Sequence, residues 1–235
     1  MMEVLLRLIQ QHEADIATCG VYNCYPDKTT LLYERMEEGC VDGATAFGYI
    51  LEGKRIPATI CNKLISRPLL KTLRFPVGRL YEDAFFTADL MPLVRKAAYT
   101  TEPKYHYFHR AGSITTTRFK SKDMDIVAAY DKTRELVGRD YPSLTKLADF
   151  RCLWAHFVVL DRMLATEDYR SFPEFAPVVR YLKKHAFAAA SNPHFTKGRR
   201  AAALTLWCSL PLYRRMMLRY QHQVAGESDE DKASE

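Results

Sequence analysis

The sequence predicts an α/β fold in two parts: a small mixed sheet with its helices, then a helical region. Three observations carry this. Strand-like runs at 15–22, 30–33, 97–100 and 104–109 all lie before residue 118. From Ser121 onward, apolar residues recur at helical spacing through long stretches. Between these patterns, Arg74–Asp89 reads as a loop, punctuated by Pro76 and Gly78, that delivers Glu82 and Asp83 to a helix start. Roughly four to six strands are expected, none of them beyond 121.

Each element follows from its own residues. Val4, Leu5, Leu8 and Ile9 are spaced as one helical face within Met1–His12. Ile16, Cys19 and Val21, among small residues, make Asp15–Tyr22 a strand. Pro26-Asp27-Lys28 marks a turn, and Thr30–Tyr33 a returning strand. Asp42 is placed to cap a helix over Ala44–Leu51, and Gly53 to end it. Ser66 precedes a short helix with Pro68 in its first turn. After Asp83, Phe86, Leu90, Leu93, Val94 and Ala97 keep helical spacing. Helices are expected over 122–137, 143–165, 174–190 and 197–222, the last kinked at Pro211. Leu147, Phe150, Trp154, Phe157 and Val158 form an apolar stripe that reads as core. The expected parts are 1–120, a helical region 121–224, and a disordered acidic tail 225–235.

Composition narrows the classes. A hydrophobic share of 48% with 26% charged residues excludes a chain too polar to fold. No apolar run reaches the ~18 residues that a membrane-spanning helix needs, and the N-terminus lacks a secretory pattern. The six cysteines form no Cys-x-x-Cys pair, and mostly buried, reduced thiols are expected. Location in the cytoplasm is expected, peripheral to the inner face of the membrane.

The net charge of +6 is uneven. Residues 171–220 hold nine Lys and Arg against Glu174 alone, hence +8. Residues 227–235 hold five acids and Lys232, hence −4. A segment as basic as 171–220 favours anionic partners, and a solvated basic face is the alternative. Within 196–220, Leu204, Trp207, Leu212, Tyr213, Met216 and Met217 alternate with Arg199, Arg200, Arg214, Arg215 and Arg219. That pattern suits an interfacial helix on an anionic membrane, with an ordinary packing helix as the bland alternative.

Two ordered blocks carry a resemblance. Asn62-Lys63-Leu64, Arg74-Phe75-Pro76, Gly78 and Tyr81-Glu82-Asp83-Ala84-Phe85-Phe86 form the first. Glu102-Pro103, Tyr105, Tyr107, Arg110 and Gly112-Ser113-Ile114 form the second. Order and spacing resemble the C-terminal half of inverting family 2 glycosyltransferases, which have the GT-A fold. The resemblance covers roughly residues 1–120. It implies a nucleotide-sugar donor and a cell-envelope glycan or lipid-linked acceptor. It makes Asp83 the catalytic base, with Glu82 the acid beside it. Lys63 would steady substrate or the loop carrying Asp83, and Arg110 and Ser113 would close over the donor diphosphate. Without the resemblance, Glu82 and Asp83 serve equally as helix-capping acids, and Lys63 and Arg110 as surface cations.

The chain departs from the family at Cys61, Ile65, His106 and Phe108, where other residue types are usual. His106 and His109 would point to opposite faces of a strand, which argues against joint metal binding. The family's donor-binding half, with its Asp-x-Asp metal motif, has no counterpart here. Asp123 and Asp125 have that spacing but follow the catalytic block instead of preceding it. The expectation is a fragment, inactive alone, whose Mg²⁺ or Mn²⁺ ligands lie outside this chain. Two other readings stand beside the enzyme: a non-catalytic basic helical partner, and a nucleic-acid-binding module. The latter lacks any known reader motif, so no nucleic acid is expected.

Overall fold

The computed structural model describes residues 1–109 and 118–230, with side chains through Gln221 in the last helix. The described residues up to His109 group with Ala128–Ala148 in one compact unit. Those from Arg118 to Val127 group with Asp149 onward in a second. Residues 128–148, assigned by sequence to the helical region, thus cluster with the sheet.

The first unit is a mixed five-stranded sheet between helices. Its strands are β1 (Ile16–Cys24), β2 (Thr29–Leu31), β3 (Glu38–Asp42), β4 (Lys63–Ile65) and β5 (Lys96–Phe108). The order is β2-β1-β5-β3, with β4 also on β1. Only the β1–β5 pair is parallel. Among the described residues all strands end before residue 118, as expected.

Period-two alternation divides the sheet's two faces. Ala17, Cys19 and Ala98 turn to one face, under Leu5 and Leu8 of α1 (Met2–His12). Ile16, Ala97 and Tyr99 turn to the other. There they meet Phe47, Ile50 and Leu51 of α2 (Gly43–Glu52), and Phe86 and Leu90 of α3 (Glu82–Leu90). Val137 of α4 (Asp125–Asp140) closes the same core. Asp42 caps α2 by accepting from the Thr45 amide at 2.9 Å, and Gly53 ends it at φ 78°. Both assignments agree with the sequence.

Several expectations need correcting. The apolar spacing after Asp83 does not carry one helix to Ala97. α3 ends at Leu90, Pro92 lies in a 3₁₀ turn over Met91–Leu93, and Ala97 lies in β5. The two strands expected at 97–100 and 104–109 are one. Pro103 would interrupt a central strand, but β3 pairs only with Lys96–Thr100. Beyond that point β5 has no ladder on this edge for a missing N–H to break. Pro103 lies opposite Gly20, where the β1–β5 register shifts. A Cβ on Gly20 would sit 2.1 Å from the Thr101 carbonyl oxygen, so only glycine admits this approach. β3 and β4 escaped the sequence reading. One carries Glu38, Gly39 and Asp42, and the other is three residues long, so pairing rather than propensity makes them strands.

The second unit is helical. It holds most of α5 (Thr145–Leu164), then α6 (Phe175–Lys184), α7 (Ala186–Ser191), α8 (Lys197–Cys208) and α9 (Leu210–Glu230). The helix expected over 174–190 breaks at His185, and that over 197–222 breaks at Ser209, two residues before Pro211. The α9 backbone is helical to Glu230, past the tail boundary expected at 225. Residues 231–235 of that tail lie outside the described residues. Phe150 and Phe157 are core, as expected, and so are Cys152, Leu153, Val159 and Leu160, which makes this part of α5 buried nearly all round. Asp161, Arg199 and Tyr213 tie three helices together. Arg199 Nη1 donates to Asp161 Oδ2 at 2.8 Å and to the Tyr213 hydroxyl at 2.9 Å. Tyr213 donates to Asp161 Oδ1 at 2.5 Å.

Candidate active site

Asp83 lies in the first turn of α3, whose underside is anchored by buried Phe86 and Leu90. Phe75, from the loop before it, stacks on Phe86 with ring centroids 4.2 Å apart. Gly78 turns that loop at φ 75°, and Tyr81 enters the helix in the left-handed region at φ 56°. A non-glycine residue there costs on the order of 1–2 kcal/mol. The backbone is therefore bent sharply immediately before the acid pair.

The two acids differ in surroundings. Glu82 is exposed and Asp83 is half-buried. Asp83 Oδ1 accepts from the Ala84 amide at 2.8 Å. Its second oxygen has no hydrogen-bond partner among the described residues. Burial raises the Asp83 carboxyl above the usual carboxylate range. The neighbouring Glu82 charge pushes it the same way, against the pull of the Ala84 amide and Lys63. One oxygen is thus held by the backbone, while the other meets no hydrogen-bond donor among the described residues, on an acid made more basic than usual.

Lys63 is placed by the residue before it. Asn62 is fully buried and donates from Nδ2 to Thr18 Oγ1 at 3.1 Å and to the Cys19 carbonyl. Its own carbonyl accepts from the Cys19 amide at 3.2 Å. This fixes β4 on β1, with Lys63 opposite Thr18. Leu64 then packs on the α1 side and Ile65 on the α3 side. The Asn-Lys-Leu triplet is therefore a lock, a cation and a core residue in succession. Lys63 is half-buried, and its ammonium end is enclosed by the Pro57 and Thr59 carbonyls, both at 2.5 Å, with Asn62 Oδ1 at 3.4 Å. Three acceptors match the three donors of an ammonium. Burial lowers its pKa to about 7, opposed by the negative charge of Asp83. Lys63 steadies the 57–59 loop directly and reaches Asp83 through its field.

The remaining predicted residues separate. Arg110 and Ser113 lie outside the described residues. His106 and His109 face opposite ways, as alternation required. His106 stacks on Tyr22 and its Nδ1 is 3.4 Å from Cys24 Sγ. His109 stacks on Tyr25, and its Nε2 is 3.1 Å from Asn23 Oδ1. Asp123 is buried against Arg162 at 2.8 Å and accepts from the Lys120 amide, a structural role. Among the described residues no cluster of three or more His, Cys, Asp or Glu could hold a metal ion. Of the six cysteines, Cys61 and Cys208 are exposed, so fewer are buried than expected. Sequence reasoning missed Asn62 as the lock, because its buried partners on β1 are 43 and 44 residues away.

No protein-family model matches the chain. Over 195 residues the chain is 23% identical to Glycosyltransferase GlyA of Streptococcus pneumoniae serotype 4. The match covers 78% of this chain and 28% of that protein, so the chain spans under a third of its relative's length. The likeness supports a glycosyltransferase relationship at the level of the broad class.

Proposed function

We propose that the chain supplies the acceptor side and the base of an inverting glycosyltransferase with a GT-A-type fold. The observation that carries this is Asp83: a half-buried carboxylate with one oxygen tethered and one open, in a chain similar to a glycosyltransferase. Its open oxygen takes the acceptor hydroxyl proton as that oxygen attacks the anomeric carbon. The new glycosidic bond forms on one face while the bond to the nucleoside diphosphate breaks on the other, which inverts the centre. Burial and the Glu82 charge keep Asp83 basic, and Lys63 holds loop 57–59 and reaches Asp83 through its field. The donor is a nucleotide-sugar and the acceptor a cell-envelope glycan or lipid-linked sugar. Arg110 and Ser113 are assigned to the donor diphosphate by resemblance alone.

Magnesium or manganese would neutralise the departing diphosphate. The described residues offer no ligand set for it, and no step above is routed through one. The donor-binding residues other than Arg110 and Ser113, and any metal ligands, are assigned outside this chain. The test is sugar transfer from a panel of radiolabelled nucleotide-sugars to envelope glycan and lipid-linked acceptors, by a polypeptide that carries these residues together with a donor-binding half. Inverted-anomer product is expected from one donor. Retention of the anomeric configuration, or no turnover across the panel, would overturn the proposal.

A further inference from the structure

The second unit leaves one face of α9 uncovered. Tyr213 and Met217 are buried, one turn apart. Leu212, Met216 and Tyr220, also one turn apart, are 55%, 37% and 67% exposed. These three side chains form a stripe along the helix, because residues four apart share a face. Arg215 and Arg219 fall on the same face and are exposed. Neither has an ion-pair partner among the described residues.

The neighbouring arginines behave differently. Arg214 turns inward to the Leu164 carbonyl at 2.9 Å and the Thr166 carbonyl at 3.3 Å. Arg200 caps α7 through the Ala190 carbonyl at 2.6 Å, and Arg199 is in the Asp161–Tyr213 clamp. So the cluster divides into arginines that build the fold and arginines that do not. α8 repeats the pattern. Leu204 and Trp207 are exposed, three residues apart, and Phe187 of α7 meets Trp207 edge-on at 5.2 Å.

We infer that this exposed face of α9 docks on an anionic membrane surface. Large apolar and aromatic side chains interleaved with unpaired arginines fit the acyl–headgroup boundary. The occupant is argued from charge: residues 171–220 carry +8 by sequence, Arg215 and Arg219 place two of those charges on this face, and an anionic headgroup layer complements them. Among the described residues no helix is long and apolar enough to cross a membrane, so the association lies in the interface plane. The inference stands apart from the glycosyltransferase reading, since it uses none of the residues assigned to catalysis.

The experiment is vesicle flotation of the full chain. Phosphatidylglycerol-rich vesicles should carry it at 0.1 M salt and pure phosphatidylcholine vesicles should not. Raising salt to 1 M, where screening shortens to about 3 Å, should weaken binding at least fivefold. Leu212→Gln with Met216→Gln and Tyr220→Gln alters only exposed positions, and should weaken association at least tenfold while leaving the melting temperature unchanged. Arg215→Gln with Arg219→Gln should remove the preference for anionic vesicles. No flotation with phosphatidylglycerol, or a triple variant that floats like the parent chain, overturns the inference. So does a concentration-dependent dimer in sedimentation without flotation, which would assign the face to a second copy of the chain.

Discussion

Replacing Asp83 with asparagine separates the two roles its position allows. The Oδ1 atom and its 2.8 Å bond from the Ala84 amide survive the change, so the helix start keeps its acceptor. What disappears is the proton-accepting oxygen. Loss of a general base costs 10²–10⁴-fold, or about 3–5 kcal/mol of barrier at 1.36 kcal/mol per tenfold. Stability should move the other way. The folded carboxyl titrates above its ordinary value because burial disfavours its charge. Between the unfolded and folded pKa values the native state holds the extra proton. Stability therefore falls as pH rises through that window, and at neutral pH ionised Asp83 costs the fold something. Asparagine removes this cost, while the lost helix-dipole interaction of about 0.3–1 kcal/mol partly offsets the gain. The melting temperature should stay level or rise by no more than about 2–4 °C. Initial transfer rates and thermal melts on the same preparations read both quantities. More than a tenth of the activity retained, or activity lost together with a melting point more than about 4 °C lower, would refute the reasoning. Either outcome would reduce Asp83 to a structural cap. Glu82→Gln, at an exposed position, should cost under about tenfold.

Two further expectations concern the supports. Lys63 should titrate near pH 7, well below its ordinary 10.5. The folded state then loses this proton first, so the group's contribution to stability grows as pH rises from about 7 to 10.5. NMR of the lysine ε-carbons should show one signal titrating near 7, absent in Lys63→Met, and signals that all titrate above about pH 9 would contradict it. Asn62→Ala strands the Thr18 hydroxyl and removes a donor from the Cys19 carbonyl, both buried in the sheet. It should cost about 1–3 kcal/mol in urea melts with an unchanged slope. A loss below about 0.5 kcal/mol would mean that β4 does not depend on the lock.

The sequence made local events legible and left long-range ones hidden. The Asp42 cap, the Gly53 stop and the acid pair opening a helix each depend on neighbours within a few residues, and each is found in the structure. β3 and β4 exist because β5 and β1 present a partner edge, which no window of a few residues contains. The single long β5 was hidden by Glu102-Pro103, and its continuation depends on Gly20, more than eighty positions earlier. At the candidate site the pattern singled out Asp83 and Lys63 by type and order alone. It could not say that the ammonium of Lys63 would be closed in by two carbonyls, or that only one oxygen of Asp83 would be engaged. Those facts belong to the packing of loop 57–59 and of the α3 start. In the second unit the composition showed many arginines, but which of them face inward was settled by Asp161, Leu164, Thr166 and Ala190.

Lys63 and Asp83 are displaced in opposite directions by one cause. Burial disfavours charge of either sign, so it lowers the amine and raises the acid. Each group's charge also moderates the other's shift. For a base this setting has a direct chemical consequence. Accepting a proton converts Asp83 to the neutral form that its surroundings prefer, so the proton moves toward the group most relieved by receiving it. The ammonium of Lys63 works against that relief while it is charged. With a pKa of about 7 it is charged only part of the time near neutrality. Its three hydrogen-bond acceptors suit the charged form, and a neutral amine could donate to only two of them, so its field and its hold on the loop weaken together. In the proposed reaction Lys63 would act through its potential and its hold on loop 57–59, and the Asp83 carboxylate would take the proton.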